Sequence, residues 1–309
     1  MAWAAARLAT SGRRAIQGPQ PASPITASTG FVTLLGNPVG HSLSPALHNA
    51  AFAHQGLDLV YLACPVEADR LTEALHGLWA LGALGANVTI PHKREALAAA
   101  DEATPTAKAL GAANTLVRTD GGWRADNTDV AGFLAPLDAH RQRLADAPVV
   151  VLGAGGAARA VVYAAAVGLK ASRVTIVARR PEQAEALAAD LGEVAEGTEL
   201  RTVTSAEAAP SVREAALVVN ATPLGMGDGR TPWPDDADLH DGQVVYDLVY
   251  RPARTPLLQA AEARGATVLG GLPMLIGQAA DAYRQWTGRD FPHDVARRAA
   301  LDALGLDDA

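Results

Sequence analysis

The chain has 309 residues, 49% of them hydrophobic and 19% charged, with a formal net charge of -7 at pH 7. That is enough chain for one large or two medium domains with buried cores, and the composition is globular rather than disordered. The acidic balance excludes general nucleic-acid binding, which needs a basic stripe, and a single cysteine, Cys64, excludes a disulfide framework or a Cys-built metal cluster.

Residues 1–30 carry Arg7, Arg13 and Arg14, several Ser and Thr, three prolines and no acidic residue. This composition overlaps with an organelle transit peptide but lacks the apolar core of a secretory signal. A disordered extension or a misplaced start is the favoured reading, and a cytoplasmic location is expected. No apolar run reaches membrane-spanning length, so no membrane partner is expected. The eight histidines form no His-x-x-x-His pair, so no metal is expected either.

From Phe31 to about Val117 strands and helices alternate. Strands are expected at Phe31–Leu35, Leu59–Val66, Leu84–Ile90 and Thr115–Arg118, and helices at Pro45–Gln55, Ala68–Leu81 and Pro91–Ala100. Cys64 falls in the second strand as a small core residue. Alternation of this kind predicts a mostly parallel sheet covered by helices. Asp120-Gly121-Gly122 signals a turn, read as a hinge, and one amphipathic helix is expected over Val130–Leu144. The β-branched run Pro148–Leu152 then enters Gly153-Ala154-Gly155-Gly156-Ala157-Ala158-Arg159, followed by a helix to about Gly168 and a strand at Val174–Ala178. Further strands are expected at Leu200–Val203, Ala216–Asn220, Val244–Leu248 and Thr267–Leu269, and helices at Leu272–Thr287 and His293–Leu304. The fold class is therefore α/β with two domains. The two units, 31–130 and 131–271, are joined by a helix near 130–144, and the second carries the strand–glycine loop–helix–strand unit of a Rossmann dinucleotide-binding domain.

The glycine loop has the context that makes its motif informative, because it joins a buried strand to a helix. Gly153 serves the tight turn, Gly155 lets backbone approach a pyrophosphate, and Ala158 lets helix and strand pack closely. The helix N-terminus offers free N–H groups to phosphates. The next strand ends Ala178-Arg179-Arg180 with no acid before Glu182. An NAD site normally has an acid there for the ribose hydroxyls, whereas two guanidiniums suit a 2′-phosphate, so NADP is expected over NAD.

Polar residues gather at the ends of the N-terminal elements. Asn87-Val88-Thr89-Ile90-Pro91-His92-Lys93 sets an amide, a hydroxyl and an amine where a strand becomes a helix, with Pro91 expected as the first helical residue. Lys93 falls in the first turn, a poor place for a cation if stability alone mattered and a useful one for exchanging protons with a substrate. The neighbouring His92 faces elsewhere on the helix and is given no catalytic role. His41-Ser42-Leu43-Ser44-Pro45 has Ser44 as a candidate N-cap, leaving Ser42 free for an anion. Asn114-Thr115 and Asp126-Asn127-Thr128-Asp129 follow; one aspartate would cap the next helix and the other would pair with Lys93. Gln278 interrupts an apolar helical face, as either a surface position or a ligand contact.

These motifs, with Asn220-Ala221-Thr222-Pro223-Leu224-Gly225-Met226 and Asp247-Leu248-Val249-Tyr250, occur together and in order. From about Phe31 to Gly288 the chain resembles the shikimate dehydrogenase family. The resemblance implies reversible reduction of 3-dehydroshikimate to shikimate with NADPH, a small-molecule substrate as partner, and a monomer or homodimer. It also implies that 31–130 is the substrate domain, completed by helices in 272–309, with a cleft between it and the Rossmann NADP-binding domain. It implies that Ser42 and Ser44 bind the substrate carboxylate with Tyr250 near it. Asn87, Thr89, Asn114 and Gln278 would hold the ring hydroxyls, and Lys93 with Asp129 would form the catalytic pair. For the cofactor it implies the loop Gly153, Ala154, Gly155, Gly156 and Ala157, with Arg179 on the 2′-phosphate, Gly271 and Met274 against the nicotinamide, and Thr222 on the far side. Ala178-Arg179-Arg180 departs from the family's commoner Asn-Arg-Thr, and Arg180 is the candidate to compensate. The alternatives of the same fold are a quinate/shikimate dehydrogenase paralogue with relaxed cofactor use and a non-catalytic metabolite-sensing regulator. The retention of Lys93 and Asp129 speaks against the sensor, which needs neither.

Overall fold

The computed structural model describes residues 25–227, 229–233 and 238–306. Most of the N-terminal extension, residues 1–24, lies outside them. The first half of the chain runs β1 (Gly30–Gly36), α1 (Ser44–His54), β2 (Leu59–Pro65), α2 (Leu71–Ala80), β3 (Gly85–Val88), α3 (Lys93–Ala98), β4 (Glu102–Ala103), α4 (Pro105–Leu110), β5 (Thr115–Arg118) and β6 (Trp123–Asp126). After α5 (Asp129–Leu134) and α6 (Arg141–Leu144) come β7 (Pro148–Leu152), α7 (Gly156–Tyr163), β8 (Arg173–Val177), α8 (Pro181–Leu191), β9 (Glu199–Val203), α9 (Ala209–Glu214) and β10 (Leu217–Asn220). The chain finishes with β11 (Val244–Asp247), α10 (Pro256–Ala263), β12 (Thr267–Leu269), α11 (Leu272–Thr287) and α12 (His293–Leu304).

Two six-stranded sheets result, ordered β2-β1-β3-β5-β6-β4 and β12-β11-β10-β7-β8-β9. The first is mostly parallel, with β5 antiparallel to both β3 and β6. The second is parallel throughout and has the doubly wound order, whose switch point between β7 and β10 is where a dinucleotide binds. Its central strands Val149–Leu152, Val174–Val177 and Leu217–Asn220 are buried on both faces, as continuous β-branched runs require.

Several expectations need correction. Asp120-Gly121-Gly122 is no hinge but the turn of the β5–β6 hairpin, with Thr119 N–H donating to Gly122 O. Residues 130–144 are not one helix: α5 gives way to a tight 3₁₀ stretch at Ala135–His140, because Pro136 removes a donor and its ring obstructs the preceding turn. Pro91 sits in a turn, and α3 begins two residues later at Lys93. The segment 101–110, unassigned from sequence, holds β4 and α4; Thr104 Oγ1 caps α4 by accepting from Ala107 N at 3.2 Å, and Gly111 closes it in the left-handed conformation. Cys64 is half-buried rather than fully in the core.

Helices α11 and α12 return to the first sheet. Ile276, Ala279, Ala280 and Tyr283 of α11 share a core with Val32, Leu47 and Phe52. Helix α11 also crosses α5 at two glycines, where a Cβ on Gly132 would come within 2.7 Å of Gln278 N and one on Gly277 within 3.0 Å of Gly132 Cα. This close approach brings Asp129, at the start of α5, and Gln278, on α11, to one cleft. Among the described residues no helix is long and apolar enough to cross a membrane, and no group of three or more His, Cys, Asp or Glu could hold a metal.

Candidate active site

A cavity of about 270 Å³ opens between the sheets, and its walls carry Ser42, Ser44, Asn87, Thr89, Lys93, Asn114, Asp129, Ala157, Tyr250, Gly271, Met274 and Gln278. At its centre Lys93 Nζ lies 2.6 Å from Asp129 Oδ2, with both side chains largely withdrawn from solvent. Asn114 Nδ2 donates to the other carboxylate oxygen at 2.7 Å, and Asn127 Oδ1 accepts the Asp129 N–H at 3.2 Å. The carboxylate thus compensates the ammonium charge and is itself held at both oxygens. Neither aspartate of Asp126-Asn127-Thr128-Asp129 caps α5 as expected. Asp126 Oδ1 accepts from Thr104 Oγ1 and the Asn127 N–H, and the helix-start amide at Asp129 goes to Asn127 instead. The Ala113 N–H donates to Lys93 O at 2.8 Å, which joins the lysine turn to the Asn114 loop through the backbone.

Asn114 is not an ordinary turn residue. Its Oδ1 accepts from the Thr128 N–H at 2.8 Å and from Thr115 Oγ1 at 3.0 Å. Asn87 is buried, with Nδ2 donating to Asn114 O and to Thr115 Oγ1, each at 3.1 Å. Thr89 follows β3 and packs on Gly36, where a Cβ would lie 2.3 Å from Thr89 Cγ2. Gln278 donates back to Leu275 O at 2.8 Å, which aims its amide oxygen away from its own helix turn. His92 is buried beside this wall with Nε2 2.9 Å from Val66 O, outside the cavity lining.

At the other end, Ser42 and Ser44 lie at the N-terminus of α1. Ser44 is not the cap: it is the first helical residue, and Leu43 holds the cap position without a side-chain bond. Ser42 Oγ instead accepts the Ser44 N–H and lies 3.2 Å from Ser44 Oγ, so both hydroxyls serve one helix end, where N–H groups favour an anion. Tyr250 faces them, and burial pushes its phenol above the usual range. Residues not anticipated from sequence also line this cavity: His41 and the apolar Leu34, Val39, Leu248 and Leu275. His41 adjoins the Ser pair and is within reach of motif reading; the apolar residues carry no signal distinguishing them from core.

The nucleotide side begins where β7 ends. Gly153 has φ +114°, and a Cβ there would meet Thr222 Cγ2 at 3.0 Å, so both turn and packing require glycine. Gly155 and Gly156 differ: a Cβ on either meets nothing within 4 Å, and Gly155 has an ordinary extended backbone. The protein's own packing does not need glycine at either position, whereas the close approach of backbone to a pyrophosphate accounts for Gly155. Ala158 is fully buried against the sheet. Ala154, Gly155 and Gly156 line a neighbouring space of about 300 Å³ that Lys93 also lines, so Lys93 borders both cavities. Arg179 and Arg180 are exposed at the end of β8 and have no partner among the described residues. Thr222 Oγ1 donates to Asn220 Oδ1 at 2.7 Å, beneath the loop. Gly271 admits no side chain, since a Cβ would lie 2.1 Å from Leu248 O; Asp247 anchors this strand end through Asn220, Thr255 and the Val249 N–H, with burial raising its carboxyl.

These features fit a dinucleotide, with bare glycines and helix N–H groups for the pyrophosphate and free guanidiniums for a further phosphate. Fold and cleft together define a dinucleotide-dependent dehydrogenase of two α/β units. Residues 34–116 match the family described as the shikimate dehydrogenase substrate binding domain, and residues 271–301 match the shikimate 5'-dehydrogenase C-terminal domain. The chain is 54% identical over 288 residues to the shikimate dehydrogenase (NADP(+)) of Salinibacter ruber, covering 92% of this chain and 100% of that protein. A shikimate dehydrogenase solved in complex with NADP+ superimposes with a TM-score of 0.86 at 38% identity, over 93% of this chain and 99% of that one. The Thermus thermophilus shikimate 5-dehydrogenase, solved with NADP(H) and shikimate, gives a TM-score of 0.78 at 38% identity, over 89% and 100%. The chain belongs to the shikimate dehydrogenase family.

Proposed function

We propose that this protein is an NADP-dependent shikimate dehydrogenase in which Lys93 and Asp129 form the proton-transfer pair. The observation that carries this is the 2.6 Å Lys93–Asp129 contact at the junction of a polar cleft and a bare glycine loop. NADPH, when bound, supplies a hydride to the carbonyl carbon of 3-dehydroshikimate. The oxygen on that carbon becomes an alkoxide and must gain a proton as it forms. Lys93 gives that proton from its ammonium and recovers one from solvent afterwards; in the oxidative direction the same amine takes it. Asp129 orients the amine and balances its charge, and Asn114 holds Asp129.

Ser42 and Ser44 donate to the substrate carboxylate at the α1 N-terminus, and Tyr250 closes that end. Asn87, Thr89, Asn114 and Gln278 select the ring hydroxyls, fixing the ring so that one carbon meets the cofactor. Gly153, Ala154, Gly155, Gly156 and Ala157 hold the pyrophosphate. Arg179 and Arg180 hold the 2′-phosphate, Thr222 lies under the loop, and Gly271 with Met274 lines the nicotinamide end.

A steady-state panel tests the reading, with shikimate and quinate each assayed with NADP+ and NAD+. Shikimate with NADP+ is expected to give the highest kcat/KM; equal or better values for quinate or for NAD+ contradict it.

A further inference from the structure

Tyr61 lies mid-strand in β2, fully buried, and a buried phenol must find a partner. Its hydroxyl donates to Asn87 Oδ1 at 2.8 Å. Groups that allow no alternative set the direction of that bond. Asn87 Nδ2 faces the Asn114 carbonyl, which only accepts, so the amide oxygen faces Tyr61. The second amino hydrogen goes to Thr115 Oγ1, and the Thr115 hydroxyl passes its own proton to Asn114 Oδ1. Because Asn114 Oδ1 also accepts a backbone N–H from Thr128, Asn114 Nδ2 is left to donate to Asp129. A single donor direction therefore runs from Tyr61 through Asn87, Thr115 and Asn114 to the carboxylate that holds Lys93. The ring stacked on Tyr61 offers no rival partner on this wall. His48 lies 4.5 Å away at 8°, with both nitrogens buried and unpartnered among the described residues, and burial holds its pKa down at about 3.

The consequence concerns recognition. Both Asn87 amino hydrogens are committed inside the protein, so toward the cleft Asn87 offers only the remaining lone pair of Oδ1. An acceptor in that position welcomes a hydroxyl and repels a carbonyl or ether oxygen. We propose that Tyr61 is a positioning residue for substrate selection: the Asn114 carbonyl and Thr115 orient Asn87 as an acceptor toward the cleft, and Tyr61, by donating to Oδ1, fixes where that oxygen sits, so the site takes a hydroxyl where Asn87 meets the substrate ring. This rests on the reading of Asn87 as a substrate contact.

A double-mutant cycle separates the two claims, using wild type, Tyr61→Phe, Asn87→Ala and the double variant, with kcat and KM measured for shikimate and for NADP+. Tyr61→Phe is expected to raise the shikimate KM about tenfold, the loss of roughly one oriented hydrogen bond. It should leave kcat within about threefold and the NADP+ KM unchanged, and have no further effect in the Asn87→Ala background. A raised KM for Asn87→Ala with none for Tyr61→Phe, or equal Tyr61→Phe effects in both backgrounds, overturns the inference alone. An unchanged KM for Asn87→Ala overturns the reading of Asn87 and the inference with it. Neutron diffraction of the wild-type protein needs no variant: a deuteron on Tyr61 Oη directed at Asn87 supports the inference, and one directed elsewhere contradicts it.

Discussion

On the substrate side of the cleft, polar side chains answer to other protein groups before any ligand arrives. Asn87, Asn114, Asp129 and Lys93 are each held by partners at 2.6–3.1 Å. On the nucleotide side the opposite holds, since Gly155 and Gly156 face open space and Arg179 and Arg180 have no partner among the described residues. On the proposed function, the substrate wall is built in advance for one small, hydroxyl-rich ring, so its selectivity resides in orientation. The nucleotide wall spends glycine and free charge on a ligand that completes it.

The contrast breaks most visibly at Gly155. Its backbone suits any residue and a Cβ meets no protein atom, so Gly155→Val is expected to fold, with the thermal midpoint lowered by no more than an apolar residue at the α7 N-cap costs. Loss of one or two charge-assisted phosphate contacts, at about 1.5–3 kcal/mol each, raises the NADP+ KM at least about tenfold, and about 100-fold or more where two are lost. Shikimate affinity, read by calorimetry without cofactor, should stay within about twofold; a parallel loss would show that the two walls are not independent. Replacing Arg179 and Arg180 together by Ala should cut the NADP+ over NAD+ preference in kcat/KM by about 10–100-fold on the same reasoning, and a preserved preference removes both from the phosphate site. Ser42→Ala is expected to raise the shikimate KM about tenfold, with the NADP+ KM unmoved. The smallest effect belongs to Arg94→Ala. Arg94 adjoins Lys93 in sequence but is 78% exposed and 3.7 Å from Asp190, and the change should stay under about twofold in kcat/KM.

What can be read in advance follows the same division. The glycine loop and its flanking strands are legible because buried parallel strands are continuous apolar runs and the loop motif has one structural context. Lys93 and Asp129 stand out as charges at helix starts, in motifs that also carry the family resemblance. The β5–β6 hairpin is easily misread although Asp120-Gly121-Gly122 is a turn signal, because a turn residue does not say which strands it joins. Helix α4 has a Thr-Pro start and a Gly stop and escapes notice for its shortness. Tyr61 has no signal at all: an aromatic in an apolar strand reads as core, and only the position of Asn87 on the same sheet gives its hydroxyl a task.

The Lys93–Asp129 pair is the centre of the account, and Lys93→Ala tests it most directly when kcat and shikimate affinity are measured on the same preparation. Loss of a positioned proton donor predicts a kcat lowered about 10²–10⁴-fold, with the shikimate Kd changed by less than about tenfold. A kcat within a few-fold of wild type, or a loss confined to affinity, would contradict it.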